Sequence, residues 1–247
     1  MFIRNGSAIA IKNLSMSQMI QNYLSSLLDL KTIKDISPIL ESMRMIKSQE
    51  ELQLARHAGE VAAAMMVAGR DRITDGILNS RLLLLQRTPG TRRMAKILVE
   101  YYEDSCMSPN THILQIMASG REIIKPHHRA STKIMKTRKP VFLCFCGLTN
   151  FYRFKLGFDR TLWINEIPDT RHAEVYEVAI ENQPAALEVL VPGIKAENIH
   201  VAYSQVIKDA GFDYPFRCGR ATAYSFLENS QPVTGDKTMQ IEYSFGC

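Results

Sequence analysis

Four blocks follow one another along this chain, helical, extended, helical, extended, and that order limits the fold more than any other feature. A capping box opens the first block. Ser48 stands at the N-cap with Glu51 three residues on, so that side chain and backbone satisfy two otherwise orphaned amides. Behind it Leu52, Leu54, Ala55, Ala58, Val61, Ala62 and Met65 recur at the spacing of a buried helix face. A second helix is expected from near Thr74, carrying Ile77, Leu78, Leu82 and Leu85 and ending by Pro89-Gly90; a third covers Met94 to Tyr102. In the extended block Thr111 to Met117 alternates and Ser119-Gly120 turns the chain. The run Val141-Phe142-Leu143-Cys144-Phe145-Cys146 reads as a buried strand, and Phe151 to Leu156 and Phe158 to Ile164 follow it. Asp169 or Thr170 caps a helical region that reaches Val191, kinked at Pro184 and ended by Pro192-Gly193. Ala196 to Ala210 forms one more helix, closed by Gly211, and Phe216 to Cys247 reads as strands and turns. Helices then strands, twice over, predict an α+β fold whose halves each place helices outside a curved antiparallel sheet. No close internal sequence repeat marks the two halves.

The front of the chain is slighter. Met16 to Leu30 has apolar residues at helical spacing, and Ile36-Ser37-Pro38 is expected to break the pattern. Residues 1–40 are therefore read as a linker or the remnant of an N-terminal domain, and 41–247 as the main domain. A chain of 247 residues with 46% hydrophobic and 22% charged residues buries an ordinary core. Its longest apolar runs, such as Val61 to Ala68, are too short to span a bilayer, so no membrane partner is expected. The start, Met1 to Gly6, lacks the charged-then-apolar pattern of a secretory signal, which makes the cytoplasm the expected location. Net charge is +5, and the small basic clusters at Thr91 to Arg93 and Lys133 to Lys139 are not interleaved with aromatics. Nucleic acid is not an expected partner. Five cysteines, sparse and odd in number, are read as free thiols. Cys144 and Cys146 would share a strand face, with Cys218 as the one further candidate, too few ligands for a zinc site.

Several segments carry a resemblance. Met43-Arg44-Met45-Ile46-Lys47-Ser48-Gln49-Glu50-Glu51 resembles the entry to the catalytic domain in creatinase and prolidase. Ala118-Ser119-Gly120 followed by Pro126-His127 resembles the strand and loop that deliver an active-site histidine. Phe158-Asp159-Arg160-Thr161-Leu162 resembles an arginine–threonine strand, Val191-Pro192-Gly193 the unit after it, and Cys218-Gly219-Arg220 a glycine–histidine turn. In this order they are similar to the pita-bread superfamily of creatinase, prolidase and methionine aminopeptidase, on its creatinase-like branch. The resemblance implies a pita-bread fold over 41–247, incomplete at its C-terminal end.

The same resemblance implies where a metal pair would sit. The metallopeptidases hold two ions with two aspartates, a histidine and two glutamates, since bridging carboxylates help generate a metal-bound hydroxide. Here the second aspartate position falls on Gly157, the first near Cys144 and the histidine on Arg220. Asp159 is offset from Gly157 by two residues, about 6 to 7 Å along a strand. Glu242 is the one candidate for a late glutamate. No metal is therefore expected. Instead His127, matching the creatinase histidine, would move protons, since an imidazole titrates near neutrality. Glu181 would act with it, holding a guanidinium-type group through charge-assisted hydrogen bonds. Arg220, with His128, would bind substrate, the guanidinium gripping a carboxylate. The later arginine that would hold the carboxylate of creatine falls near Gln231, so creatine is not the expected substrate. The implied function is metal-independent hydrolysis of a C–N bond in a small amidine or amide, on a small-molecule substrate, by a homodimer. The alternatives are a metal-dependent Xaa-Pro dipeptidase or aminopeptidase, with a divalent metal pair, and a non-catalytic or truncated member.

Overall fold

The computed structural model describes residues 8–11, 17–27, 32–109, 112–125, 127–149, 152–213, 217–220, 224 and 232–234. The chain divides into two units, Met1–Ile46 and Lys47–Cys247. In the first, β1 (Ala8–Ile11) pairs in parallel with β2 (Thr32–Asp35), and α1 (Gln18–Leu27) lies between them in the chain. Parallel pairing needs such a crossover, because a tight turn cannot return a strand in the same direction. A further helix, α2 (Ser37–Met45), starts where the sequence suggested a break. Pro38 sits in its first turn, where a missing amide costs no helix hydrogen bond and the fixed φ favours the helix.

The second unit opens with α3 (Gln49–Arg70). The capping box at its start is formed: Ser48 Oγ accepts from the Glu51 amide at 3.2 Å, and Glu51 Oε2 accepts from the Ser48 amide at 2.9 Å. Its buried side includes Leu54, Ala58, Val61, Ala62 and Met65. Next comes α4 (Asn79–Ile97), which runs unbroken through Pro89-Gly90 and passes into a π-helical turn at Leu98–Tyr102. The two helices expected here are therefore one. Leu82, Gln86, Gly90, Met94 and Ile97 share its buried face. Burial along that stripe outweighs the single amide that proline withholds. Helix α4 begins five residues later than Thr74 because Gly76, at φ 85°, turns the chain first.

Three antiparallel strands lie against these helices in the order β3 (His112–Ser119), β4 (Pro140–Thr149), β5 (Lys155–Trp163). Met117, Val141, Leu143 and Phe145 join Leu54, Val61, Met65, Leu82 and Met94 in one core. The two short extended pieces expected after residue 150 are one strand, β5. The reversal precedes it, at Tyr152 and Arg153, both with positive φ. The second helical block supplies α5 (Thr170–Glu188) and α6 (Ala196–Asp209), packed on each other. Asp169 caps α5 by accepting from the His172 amide at 2.9 Å. After them β6 (Arg217–Arg220) pairs antiparallel with β7 (Pro232–Thr234), and both touch α6. A helix pair followed by antiparallel strands thus occurs twice, as the α+β reading required.

Candidate functional site

The register of the central sheet places the site residues on β4 and β5. Cys144 lies opposite Asp159 and Phe142 opposite Thr161, while Ile116 of β3 lies opposite Cys144 from the other side. Directly paired residues share a sheet face, so Ile116, Cys144 and Asp159 form one row. Cys144 is 6% exposed, whereas Asp159 reaches solvent. The register shifts between Phe145, opposite Phe158, and Leu148, opposite Leu156. That bulge sets Cys146-Gly147 at the level of Gly157. The cysteine level with Gly157 is thus Cys146, two residues on from Cys144, near which the resemblance put the first aspartate position. Arg160 donates from Nη1 to the Asp159 carbonyl at 2.6 Å.

A pair of divalent ions does not fit these residues. Gly157 has no donor atom, and Asp159 is the carboxylate that the sheet row offers, opposite a buried thiol. Among the described residues no group of three or more His, Cys, Asp and Glu side chains could hold a metal. Bridged two-metal sites need several carboxylate oxygens around the ions. The backbone of Arg220 pairs with Pro232 in the β6–β7 ribbon, while its side chain, Gln231 and Glu242 lie outside the described residues.

A polar cluster gathers beside that row. Asn182, buried on α5, hydrogen-bonds the Tyr203 phenol of α6. Burial pushes Tyr203 above the ordinary tyrosine range, Cys218 and Asp159 push it further, and the Asn182 hydrogen bond opposes them. Burial also raises Cys218, keeping it a neutral thiol near pH 7. Tyr203 of α6 thus stands beside Asn182 of α5, within electrostatic reach of Cys218 on β6 and Asp159 on β5. Sequence reasoning missed Asn182 and Tyr203. The available signal was Asn182 on the inward stripe of α5, in helical register with Val178, Ala185, Ala186 and Val189, all at least partly buried.

His127 stands in the loop after a 3₁₀ turn at Gly120–Ile124. Its backbone is left-handed, φ 58°, and its side chain is exposed, with no hydrogen bond among the described residues. His128 is more enclosed. Its Nδ1 donates to the Met117 carbonyl at 3.2 Å, and its Nε2 lies 3.5 Å from Glu122 Oε2. Lys133 Nζ is 3.4 Å from the same oxygen and donates to the Ser119 carbonyl at 2.9 Å. With the Met117 amide bound to the His128 carbonyl at 3.0 Å, these contacts moor the loop to β3. Glu181 is exposed on α5, one residue before Asn182. No hydrogen bond or ion pair joins it to His127 among the described residues.

These elements define a pita-bread chain. X-Pro aminopeptidase from Thermotoga maritima has the same fold, with a TM-score of 0.79 at 17% identity over 96% of this chain and 63% of that one. Residues 53–242 match metallopeptidase family M24, and the chain belongs to that family. It is similar to an agropine synthesis cyclase from Rhizobium rhizogenes, 30% identical over 84% of this chain and 52% of that protein. It is also similar to an Xaa-Pro dipeptidase from Pyrococcus furiosus, 25% identical over 86% of this chain and 56% of that protein. The chain thus spans about half the length of the curated relatives it matches.

Proposed function

We propose that this chain is a metal-independent hydrolase that cleaves a C–N bond in a small amidine or amide. The observation that carries the reading is the sheet register, with Gly157, which has no donor atom, at an expected ligand position and Asp159 opposite the buried Cys144, a pairing that suits hydrogen bonding better than a cation pair. In this reading His127 takes a proton from the attacking water and returns it to the leaving nitrogen. A C–O bond forms, the C–N bond breaks, and no proton is left over. An exposed imidazole on a loop moored by His128 suits that exchange. Glu181 and Arg220 hold the substrate's charged ends, and His128 fixes the loop from within. The protein works as a homodimer on a small molecule; no described helix is long and apolar enough to cross a membrane.

The cyclase relative favours a second reading, ring closure within one substrate. It needs the same movable proton and the same absence of a metal-bound hydroxide. One assay separates the two. The protein is incubated, with and without chelator, with N-substituted and cyclic amidines, with open-chain amides and with Xaa-Pro dipeptides. Hydrolysis adds one water to the substrate mass and closure removes one. The expected result is water addition to an amidine or amide, with kcat lower by about 10²- to 10⁴-fold in H127A. Turnover confined to Xaa-Pro dipeptides and abolished by chelator would sink both readings.

A further inference from the structure

Outside the candidate site, an open groove of about 410 Å³ lies at the turn between α3 and α4, lined by Arg72, Thr74, Asp75, Gly76, Ile77, Arg81 and Leu85. It shares no residue with the site on β4, β5, α5 and α6. Three features make it a built surface. The turn is held from below, because the Gly76 amide donates to the Met135 carbonyl at 3.0 Å and the Met135 amide to the Ile77 carbonyl at 2.8 Å. The Asn79 and Ser80 amides are likewise bound, to the Lys133 and Ser131 carbonyls, so the first turn of α4 has no slack there. Two guanidinia line the groove, and among the described residues neither the Arg72 nor the Arg81 guanidinium has a hydrogen-bond or ion-pair partner. The one acidic residue in the lining, Asp75, commits Oδ1 to the Thr137 amide at 2.7 Å. Leu85 follows Arg81 by four residues on the same face of α4, and with Ile77 it gives the groove an apolar wall.

We infer that this groove binds a small carboxylate with an apolar tail. Two arginines against one aspartate leave an excess of one positive charge, which one monoanionic carboxylate neutralises. A planar guanidinium grips a carboxylate through two parallel hydrogen bonds. The tail lies on Ile77 and Leu85. The volume falls within the range of about 300 to 1,000 Å³ usual for small-molecule sites, well above what a bare ion fills. A phosphate dianion brings one charge too many and no tail.

Calorimetric titration of the full chain with sodium benzoate at low ionic strength tests this, with inorganic phosphate as the comparison. Saturable one-site benzoate binding is expected, weakened about tenfold or more in R72Q and in R81Q, with phosphate binding more weakly. Both arginines are exposed, so the variants should melt with the parent protein. Amide shifts in a nitrogen–proton spectrum give an independent readout, and benzoate should move those of Gly76 and Ile77. The inference is overturned by no saturable benzoate binding, by affinity unchanged in both variants, by phosphate binding more tightly, or by shifts elsewhere only.

Discussion

Gly69 is buried on α3 facing α4, and the space a larger residue would need there is already taken. A Cβ at this position would lie 2.9 Å from Gln86 Cδ and 3.0 Å from its Cγ, with Nε2 nearer still. Gln86 is 0% exposed, so it has nowhere easy to move. G69A should therefore lower stability by about 1 to 3 kcal/mol, the usual range for an overpacked core. In a Q86A background the same change should cost much less, and equal costs in a denaturant double-mutant cycle would show that the two do not touch. His57, also 0% exposed, gives a pH dependence. Its Nε2 meets Gln53 Nε2 at 2.7 Å and its Nδ1 meets the Tyr102 hydroxyl at 2.8 Å. With an amide donor on one nitrogen, the ring is best satisfied neutral. Burial pushes its pKa below the ordinary value, Glu60 opposes this, and Arg93 adds to it. The unfolded chain then binds the proton first. Stability is full above the unfolded pKa, about 6.5, and falls as pH drops through it toward the lowered folded value. Urea midpoints between about pH 7.5 and 5.5 should fall more steeply for the parent than for H57Q; parallel slopes would assign the dependence elsewhere.

At the scale of elements, the capping box at the head of α3 offers a clean test, since Ser48 is exposed and its role is local. S48A should destabilise the second unit by about 1 kcal/mol, and S48D by much less, as an aspartate can cap the same amide. This cap and the periodic face behind it were fully legible, because both arise within a few residues of one another. So were the buried strand at β4 and the Asp169 cap of α5. Proline misled twice, each time by suggesting a break where a helix stands. Pro38 starts α2 and Pro89 sits inside α4, because a proline's effect depends on its place in a helix and on what that helix buries. The site was legible only along single strands. Gly157 and Asp159 could be placed from the arginine–threonine run, but the bulge that brings Cys146 level with Gly157 changes the register without changing the sequence spacing. The Asn182–Tyr203 hydrogen bond joins two helices, and contacts of that range leave no local pattern to read.

For the whole molecule, the decisive test is the response to divalent metal. In this fold a bound pair of divalent ions would tie strands to later elements and stabilise the native chain by mass action. A site with a dissociation constant of about 10 μM would add about 2.7 kcal/mol at about 1 mM free metal. For a chain of this size that corresponds to a rise in Tm of roughly 5 to 10 °C. The described residues offer Asp159 opposite Cys144, and Gly157 level with Cys146-Gly147, to any such ions. One carboxylate, even where its two oxygens bridge a pair of ions, leaves each cation without enough further ligands to be held tightly. Adding manganese or cobalt to about 1 mM should therefore move Tm by less than about 1 °C, and exhaustive chelation should move it no further. G157D restores one carboxylate, at the position where the metallopeptidase pattern has its second aspartate. It should leave the metal response small, because the opposite strand still supplies cysteine and glycine. A rise of several degrees in the parent protein would mean that carboxylates beyond the described residues complete a metal centre, and the hydrolytic reading would pass to the peptidase alternative.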